Sequence, residues 1–326
     1  MTRLFRPRRP GVDYTESSVE WPVDFKEAVL KQAMDQPWRL YPVSQPDRAR
    51  SRMAELLGID VERIRFTSGA DGAVDLVTRF LPAASSLYIP SPAYPGYRLA
   101  AARNRCATHE YQAVLDVERI RTLVDVRPAH VILTWPGNPI GMDSLPVPLA
   151  SDQVSWTVDA TYLSIFSNEF SALVARSESQ YNVIFSCSKT EGLAGVRLGG
   201  IVLATHDPGY TAEESPFALN TLQLAAAEVL LSPAWRGRAI ARHDHMRREH
   251  ARLTDALTTL GWVSVPSSAL SFITVLDPTD SWGIADRQTY AALHAKRFAD
   301  DGFLRITSCD HNITHLSSVH PVGPAA

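Results

Sequence analysis

Phe185-Ser186-Cys187-Ser188-Lys189-Thr190-Glu191-Gly192-Leu193-Ala194-Gly195-Val196-Arg197-Leu198-Gly199-Gly200 is the stretch on which the reading of this chain turns. Val183 to Phe185 form an apolar, strand-like run that leads into two hydroxyls and an amine. A glycine-punctuated loop then carries the chain to an arginine eight residues past the lysine. A nucleophilic amine is thereby set beside small donors and a fixed cation, an arrangement suited to a phosphorylated aldehyde. Cys187, between the two serines, is expected by strand alternation to point the other way and pack in the core.

Working outward, the chain has the composition of an ordinary soluble protein, 45% hydrophobic and 21% charged over 326 residues, enough for a large core and two subdomains. A net charge of -3 argues against electrostatic binding of nucleic acid, which needs a basic face. Cys106, Cys187 and Cys309 are too few and too scattered for a disulfide framework or a zinc site, so a reducing cytoplasm is expected. Nothing approaches the roughly 20 apolar residues of a membrane span. The basic opening Met1 to Pro10 lacks a following apolar region and is expected to be an N-terminal arm rather than a secretory signal.

Spacing predicts helices over Phe25 to Met34, Asp47 to Leu57 and from Gly69 through Phe80. Short apolar runs follow at Leu87 to Ile89, Val131 to Leu133, Val154 to Val158, Val183 to Phe185 and Ile201 to Leu203. Apolar runs alternating with helices imply an α/β fold with a mostly parallel sheet covered on both faces. Beyond Thr211 the pattern changes. A long charged helix, about Ala234 to Leu260, precedes strands at Trp262 to Val265, Ser271 to Leu276 and Phe303 to Thr307, with a helix over Arg287 to Phe298 between the last two. The arginines of the long helix read as a solvated face. His311 and His315 have helical ligand spacing, but Asn312, Ile313 and Thr314 argue against a helix there, and no metal site is expected. The tail after His315 is expected to fray.

Other segments sit at strand ends or helix starts. Asp159 closes an apolar strand in Asp159-Ala160-Thr161-Tyr162, where an aspartate often only caps a helix. Asn138, in Trp135-Pro136-Gly137-Asn138-Pro139-Ile140-Gly141, has an ordinary Asn-Pro turn as its plain reading. Thr67-Ser68-Gly69-Ala70-Asp71-Gly72 opens a helix, and a helix start offers unpaired N–H groups and partial positive charge to an anion. Tyr94 lies in Ser91-Pro92-Ala93-Tyr94-Pro95-Gly96-Tyr97, and Tyr41 precedes Pro42. In Phe303-Leu304-Arg305-Ile306-Thr307, period-2 alternation puts Arg305 opposite the core-facing Leu304 and Ile306.

Together these segments resemble the class I/II aminotransferases, fold-type I enzymes that use pyridoxal 5'-phosphate, and in particular their histidinol-phosphate-aminotransferase-like members. The lysine run is similar to the family's Schiff-base segment, Ser-x-Ser-Lys, a short glycine-containing stretch, then Arg-x-Gly. The resemblance spans about Tyr41 to Thr307, with its motifs in family order. It implies a catalytic set of Lys189, Asp159 and Tyr94. Lys189 would hold the cofactor, Asp159 would meet the pyridinium nitrogen, and Tyr94 would stack on the ring. Asn138 and Tyr162 would bond the 3'-oxygen. Gly69, Ala70, Asp71, Ser186, Ser188 and Arg197 would receive the phosphate, with Tyr41 reaching the phosphate of a neighbouring subunit. Arg305 would clamp the substrate's α-carboxylate, with Asn138 also facing the substrate.

The resemblance further implies a large cofactor domain over residues 43–220 and a smaller α+β domain from 1–42 plus 221–326. The expected unit is a cytoplasmic homodimer with shared sites, acting on an amino acid and a 2-oxo acid without nucleic acid, membrane or metal. The expected activity is amino-group transfer in amino-acid or specialised biosynthesis. Decarboxylation, β- or γ-elimination and cyclisation on the same scaffold are the alternative. Departures exist as well. The interval between Asn138 and Asp159 is short, Trp21 stands in a segment only loosely like the family's Asn-Glu-Asn-Pro, and Ser271-Phe272 stands where Asn-Phe is common. Tyr97 reads as a packing residue.

Overall fold

Strands built almost wholly of apolar residues need cover on both faces, and the central sheet of this chain has it. In the computed structural model the described residues are 20–81, 85–91, 94–112, 129–138, 154–205, 209–210, 216–265, 267–276 and 303–319. Strands β1 (Ile64–Ser68), β2 (Ser86–Ser91), β3 (Ala107–Gln112), β4 (Ala129–Thr134), β5 (Val154–Asp159), β6 (Asn182–Ser186) and β7 (Leu198–Val202) form one sheet in the order β1-β7-β6-β5-β4-β2-β3. Neighbouring strands are parallel except at β7, which runs antiparallel to both β1 and β6. The mostly parallel α/β sheet expected from the sequence is therefore what the chain builds.

Alternation along the strands sends side chains to two cores. Val183 and Phe185 join Val131, Leu133, Trp156 and Val158 on one face. Ile184 joins Ile132, Leu87 and Ile201 on the other. Helices α1 (Val23–Met34) and α2 (Asp47–Leu57) cover the first face. They do so through Phe25, Val29 and Ala33, and through Ala49, Met53 and Leu57, spaced four residues apart so that each set forms one stripe. Helices α3 (Gly69–Phe80) and α4 (Gly96–Arg103) cover the second with Val74, Val77, Tyr97 and Ala101. Helix α5 (Asn168–Ala175) begins at Ser167, whose hydroxyl accepts from the Phe170 N–H. Cys187 is fully buried, as the alternation required.

After α6 (Thr221–Leu230) and the 27-residue α7 (Pro233–Thr259), a smaller antiparallel sheet follows in the order β10-β9-β8. Its strands are β8 (Ser264–Val265), β9 (Phe272–Leu276) and β10 (Phe303–Thr307). Ile273, Val275 and Ile306 pack against Leu253 and Leu257 of α7 and against Ile313 and Leu316 of α8 (Asp310–Val319).

Helix α8 corrects two expectations: the helix includes Asn312, Ile313 and Thr314, and it continues past His315 to Val319. Burial of Ile313 and Leu316, one turn apart, outweighs the weak propensity of the intervening residues. The face of α7 is also less uniformly solvated than its charges suggest. Arg242 lies over the Trp21 ring at 4.3 Å, and Glu249 is buried beside Arg252, which donates to it at 2.9 Å. The sequence reading did not mark β1 or β3. The first carries arginines at 63 and 65 on its approach to the core, and the second is a polar edge strand with only Tyr111 buried. The expected helix over Arg287 to Phe298 lies outside the described residues, as do Pro92, Ala93 and the end of the Asn138 turn.

Candidate functional site

Parallel strands bring their carboxyl ends to one edge of the sheet, and ligands of open α/β sheets bind in the crevice beyond that edge. Here β1 ends at Ser68 and turns into α3, β4 leads to Asn138, β5 ends on Asp159 and β6 leads to Lys189. The antiparallel β7 starts at the same edge, directly after Arg197. One edge thus carries the amine, a carboxylate, an amide and a guanidinium.

The turn between β1 and α3 is held open by glycine. Gly69 has φ +70, and a Cβ there would come within 2.8 Å of an Arg197 Nη2 atom. Gly199, across on β7, would place a Cβ 2.8 Å from the Gly69 carbonyl carbon and 2.9 Å from the Ala70 nitrogen. Only glycines let the start of α3 lie directly on the sheet beside the arginine. Arg197 itself has φ +62. Its Nη2 donates to Asp71 Oδ2 at 2.6 Å, and Nη1 donates to Ser188 Oγ at 3.5 Å and to the Ala194 carbonyl at 3.4 Å. The second Asp71 oxygen accepts from the Tyr94 hydroxyl at 2.8 Å. Ser186 is turned inward, its hydroxyl accepting from the Ser188 N–H at 3.1 Å. The Arg197–Asp71 pair is 45% and 44% exposed. An ion pair so open to water contributes at most about 1 kcal/mol, little enough for an incoming dianion to replace the carboxylate.

Asp159 is buried. Its Oδ1 accepts from the Thr161 N–H at 2.9 Å and its Oδ2 from the Tyr97 hydroxyl at 2.5 Å. Burial raises its pKa above the ordinary carboxylate value, while the bonds from Thr161 and Tyr97 pull it down. Tyr97 is correspondingly pushed well up, by burial first and then by the Asp159 charge. The sequence reading took Tyr97 for packing. It does pack in the second core, and it also holds the carboxylate; its place one helix turn after Tyr94 was the available signal. Tyr94 and Tyr97 meet edge to face at 5.9 Å.

Lys189 Nζ lies 5.8 Å from the centre of the Tyr162 ring. The Tyr162 hydroxyl accepts from Asn138 Nδ2 at 3.0 Å and from Arg305 Nη1 at 3.1 Å, and the same Arg305 nitrogen donates to Asn138 Oδ1 at 3.0 Å. Phe272 supports this triad from β9, edge-on to Tyr162 at 4.9 Å and under the Arg305 guanidinium at 5.0 Å. Arg305, on β10 of the small sheet, is therefore not on a solvated strand face; it is 6% exposed and joined to residues at the ends of β4 and β5. Tyr41 stands apart, 82% exposed and stacked on Phe217 at 4.9 Å, away from the phosphate-side residues of its own chain.

Glu191, two residues past the lysine, was also passed over in sequence. Its buried carboxylate accepts from Ser164 Oγ at 2.8 Å, the Ile165 N–H at 3.1 Å and Thr190 Oγ1 at 2.6 Å, tying the lysine turn to the loop after Tyr162. Trp21 Nε1 donates to the Glu191 carbonyl at 2.5 Å. Burial raises the Glu191 pKa. An acidic residue inside a glycine-rich apolar loop was the visible sign. Among the described residues, no group of three or more His, Cys, Asp or Glu could hold a metal ion, and no helix is long and apolar enough to cross a membrane.

The model of the aminotransferase class I and II family matches residues 13–318. The histidinol-phosphate aminotransferase of Leuconostoc mesenteroides is 29% identical over 208 residues, 57% of this chain and 56% of that protein. The chain thus spans little more than half the length of that curated relative. Among solved structures, the histidinol-phosphate aminotransferase of Sinorhizobium meliloti in complex with pyridoxal-5'-phosphate superposes with a TM-score of 0.72 at 19% identity, covering 95% of this chain and 89% of that one. The L-threonine-O-3-phosphate decarboxylase of Porphyromonas gingivalis does so with a TM-score of 0.70 at 18% identity, covering 94% and 99%.

Proposed function

The chain belongs to the aminotransferase class I and II family, and from that premise we propose that it binds pyridoxal 5'-phosphate at Lys189 and moves an amino group between an amino acid and a 2-oxo acid. The residues fit the cofactor. The space beside Arg197 that a Cβ at Gly69 would fill suits a phosphate, with Ser188 and the Ala70 and Asp71 N–H groups at the start of α3 as further donors. Asp159, a buried carboxylate whose pKa burial raises, gains a partner in a protonated ring nitrogen. Asn138 and Tyr162 would bond the ring oxygen, and Tyr94 would lie on the ring face. Ser186 supports Ser188 from below rather than facing the phosphate itself.

When bound, the cofactor supplies a carbonyl that takes up the amino acid's nitrogen and an electron-withdrawing ring that acidifies the substrate's Cα–H. The chain's own residues do the rest. Asp159 holds positive charge on the ring. Arg305 fixes the substrate carboxylate by charge-assisted hydrogen bonds, which leaves the Cα–H bond free to stand toward Lys189. The free Lys189 amine then takes the Cα proton and returns it one atom further on, the transfer that makes the outcome a transamination. Decarboxylation, elimination or cyclisation is the alternative from the same residues, and it requires a different substituent to face the lysine.

The observation that carries this reading is the direct contact of Arg305, from the small sheet, with Asn138 and Tyr162. It sets a carboxylate-binding cation beside the residues expected at the cofactor's 3'-oxygen. We extend the proposal to a cytoplasmic homodimer in which Tyr41 completes the partner's phosphate site, and to domains over 43–220 and 1–42 plus 221–326. Exposed apolar residues of α1 and the segment after it (Leu30, Met34, Trp38, Tyr41 and Val43, with Phe217 beside them) support a covered surface there. The test is reduction with borohydride. The cofactor is expected to remain covalently on Lys189 by peptide mapping, and a chain that takes up no pyridoxal phosphate would overturn the proposal.

A further inference from the structure

We propose that Gln223 is a positioning residue that sets the phosphate-binding side of the site, a role that rests on the cofactor reading above. Gln223 is 3% exposed at the start of α6 and uses both ends of its amide. Its Oε1 accepts from the Asn220 N–H at 2.8 Å while Asn220 Oδ1 accepts from the Gln223 N–H at 2.9 Å, a reciprocal cap on the helix. Capping needs only the oxygen. The amide nitrogen reaches out of the helix, donating to the Arg197 carbonyl at 2.6 Å and to Ser68 Oγ at 3.2 Å.

Those two acceptors flank the anion side from opposite strands. Arg197 is a non-glycine residue at φ +62, a left-handed conformation that persists only when its surroundings over-determine it. The short bond to its carbonyl is such a constraint, because it fixes the peptide from which the guanidinium is aimed. Ser68 is the N-cap of α3, yet its hydroxyl makes no capping bond within that helix; it is engaged by Gln223 instead. One buried amide thereby holds the arginine and the glycine turn in register. A phosphate monoester, which must meet both at once, feels any relaxation of either, whereas a ligand lacking the phosphate does not.

The experiment measures the affinity of the full-length apo-protein for pyridoxal 5'-phosphate and for pyridoxal by equilibrium dialysis, and reads their ratio. Gln223→Glu keeps an oxygen for the Asn220 N–H and removes the donor. Gln223→Met keeps length and volume and removes both. Asn220→Ala breaks the helix cap and leaves the donor in place. Both Gln223 variants are expected to lose about tenfold in the ratio, through weaker pyridoxal phosphate binding alone, and Asn220→Ala is expected to keep it within twofold even where its melting temperature falls. An unchanged ratio in the Gln223 variants, or an equal loss in Asn220→Ala, overturns the inference and leaves the cofactor reading standing. A wild-type protein that binds pyridoxal phosphate no better than pyridoxal overturns the cofactor reading itself.

Discussion

Arg305→Ala separates recognition of a carboxylate from the rest of substrate binding, and its effect follows from the contacts. Arg305 Nη1 already has Asn138 Oδ1 at 3.0 Å and the Tyr162 hydroxyl at 3.1 Å, and the guanidinium sits over Phe272. Further N–H groups of its fork are left for a bidentate carboxylate. A charge-assisted hydrogen bond of this kind contributes about 1.5–3 kcal/mol, so removing the cation should weaken amino-acid binding by roughly 10- to 150-fold. The fold should lose less. Tyr162 keeps its 3.0 Å bond from Asn138, and the lost contact with Phe272 contributes about 0.5–2 kcal/mol. The assay titrates the cofactor's visible spectrum with an amino acid and with the matching amine that lacks the carboxylate. Affinity for the amino acid should fall and affinity for the amine should hold. Equal losses for both, or no loss for the amino acid, would refute the reasoning.

Lys189→Ala should abolish turnover while leaving pyridoxal phosphate bound reversibly, as dialysis would report; residual multiple turnover would remove the lysine from its role. Tyr41→Ala, which deletes a ring 82% exposed in the single chain, should weaken self-association and pyridoxal phosphate affinity together. Sedimentation showing fully active wild-type monomers would contradict that expectation. Glu191 has its pKa raised above 4.5 by burial, so the fold favours the protonated carboxyl. The stability this contributes is complete below 4.5 and is lost as pH rises through the folded-state value. Gln mimics the protonated form, so Glu191→Gln should gain stability relative to wild type as pH rises through that range; a melting difference independent of pH would contradict the assignment.

The segments legible in the sequence were those in which one residue type answers one demand. The lysine run, Asp159, Asn138 and the Gly69 turn all lie at the sheet edge because each follows an apolar strand, and apolar strands are the clearest signal in the chain. What stayed hidden depends on contacts between distant segments. Tyr97 looks like any helix-packing tyrosine until the end of β5 is known to lie 2.5 Å from its hydroxyl. Gln223 reads as half of a capping box, and nothing local tells that its nitrogen points at Arg197, 26 residues away. Helix α8 was missed because its propensity is weak and its stability comes from burying Ile313 and Leu316 against β9, β10 and α7. Strand β3 was missed because an edge strand can remain polar on nearly every position.

The central claim is that Lys189 moves a proton from Cα so that nitrogen stays on the cofactor. The most direct measurement mixes the cofactor-loaded protein with a panel of amino acids in the absence of any 2-oxo acid acceptor. One equivalent of 2-oxo acid per Lys189, with the visible band lost and then restored by adding a 2-oxo acid, is the predicted result. Sustained release of an amine, ammonia or a cyclised product without acceptor, the visible band persisting throughout, would contradict it.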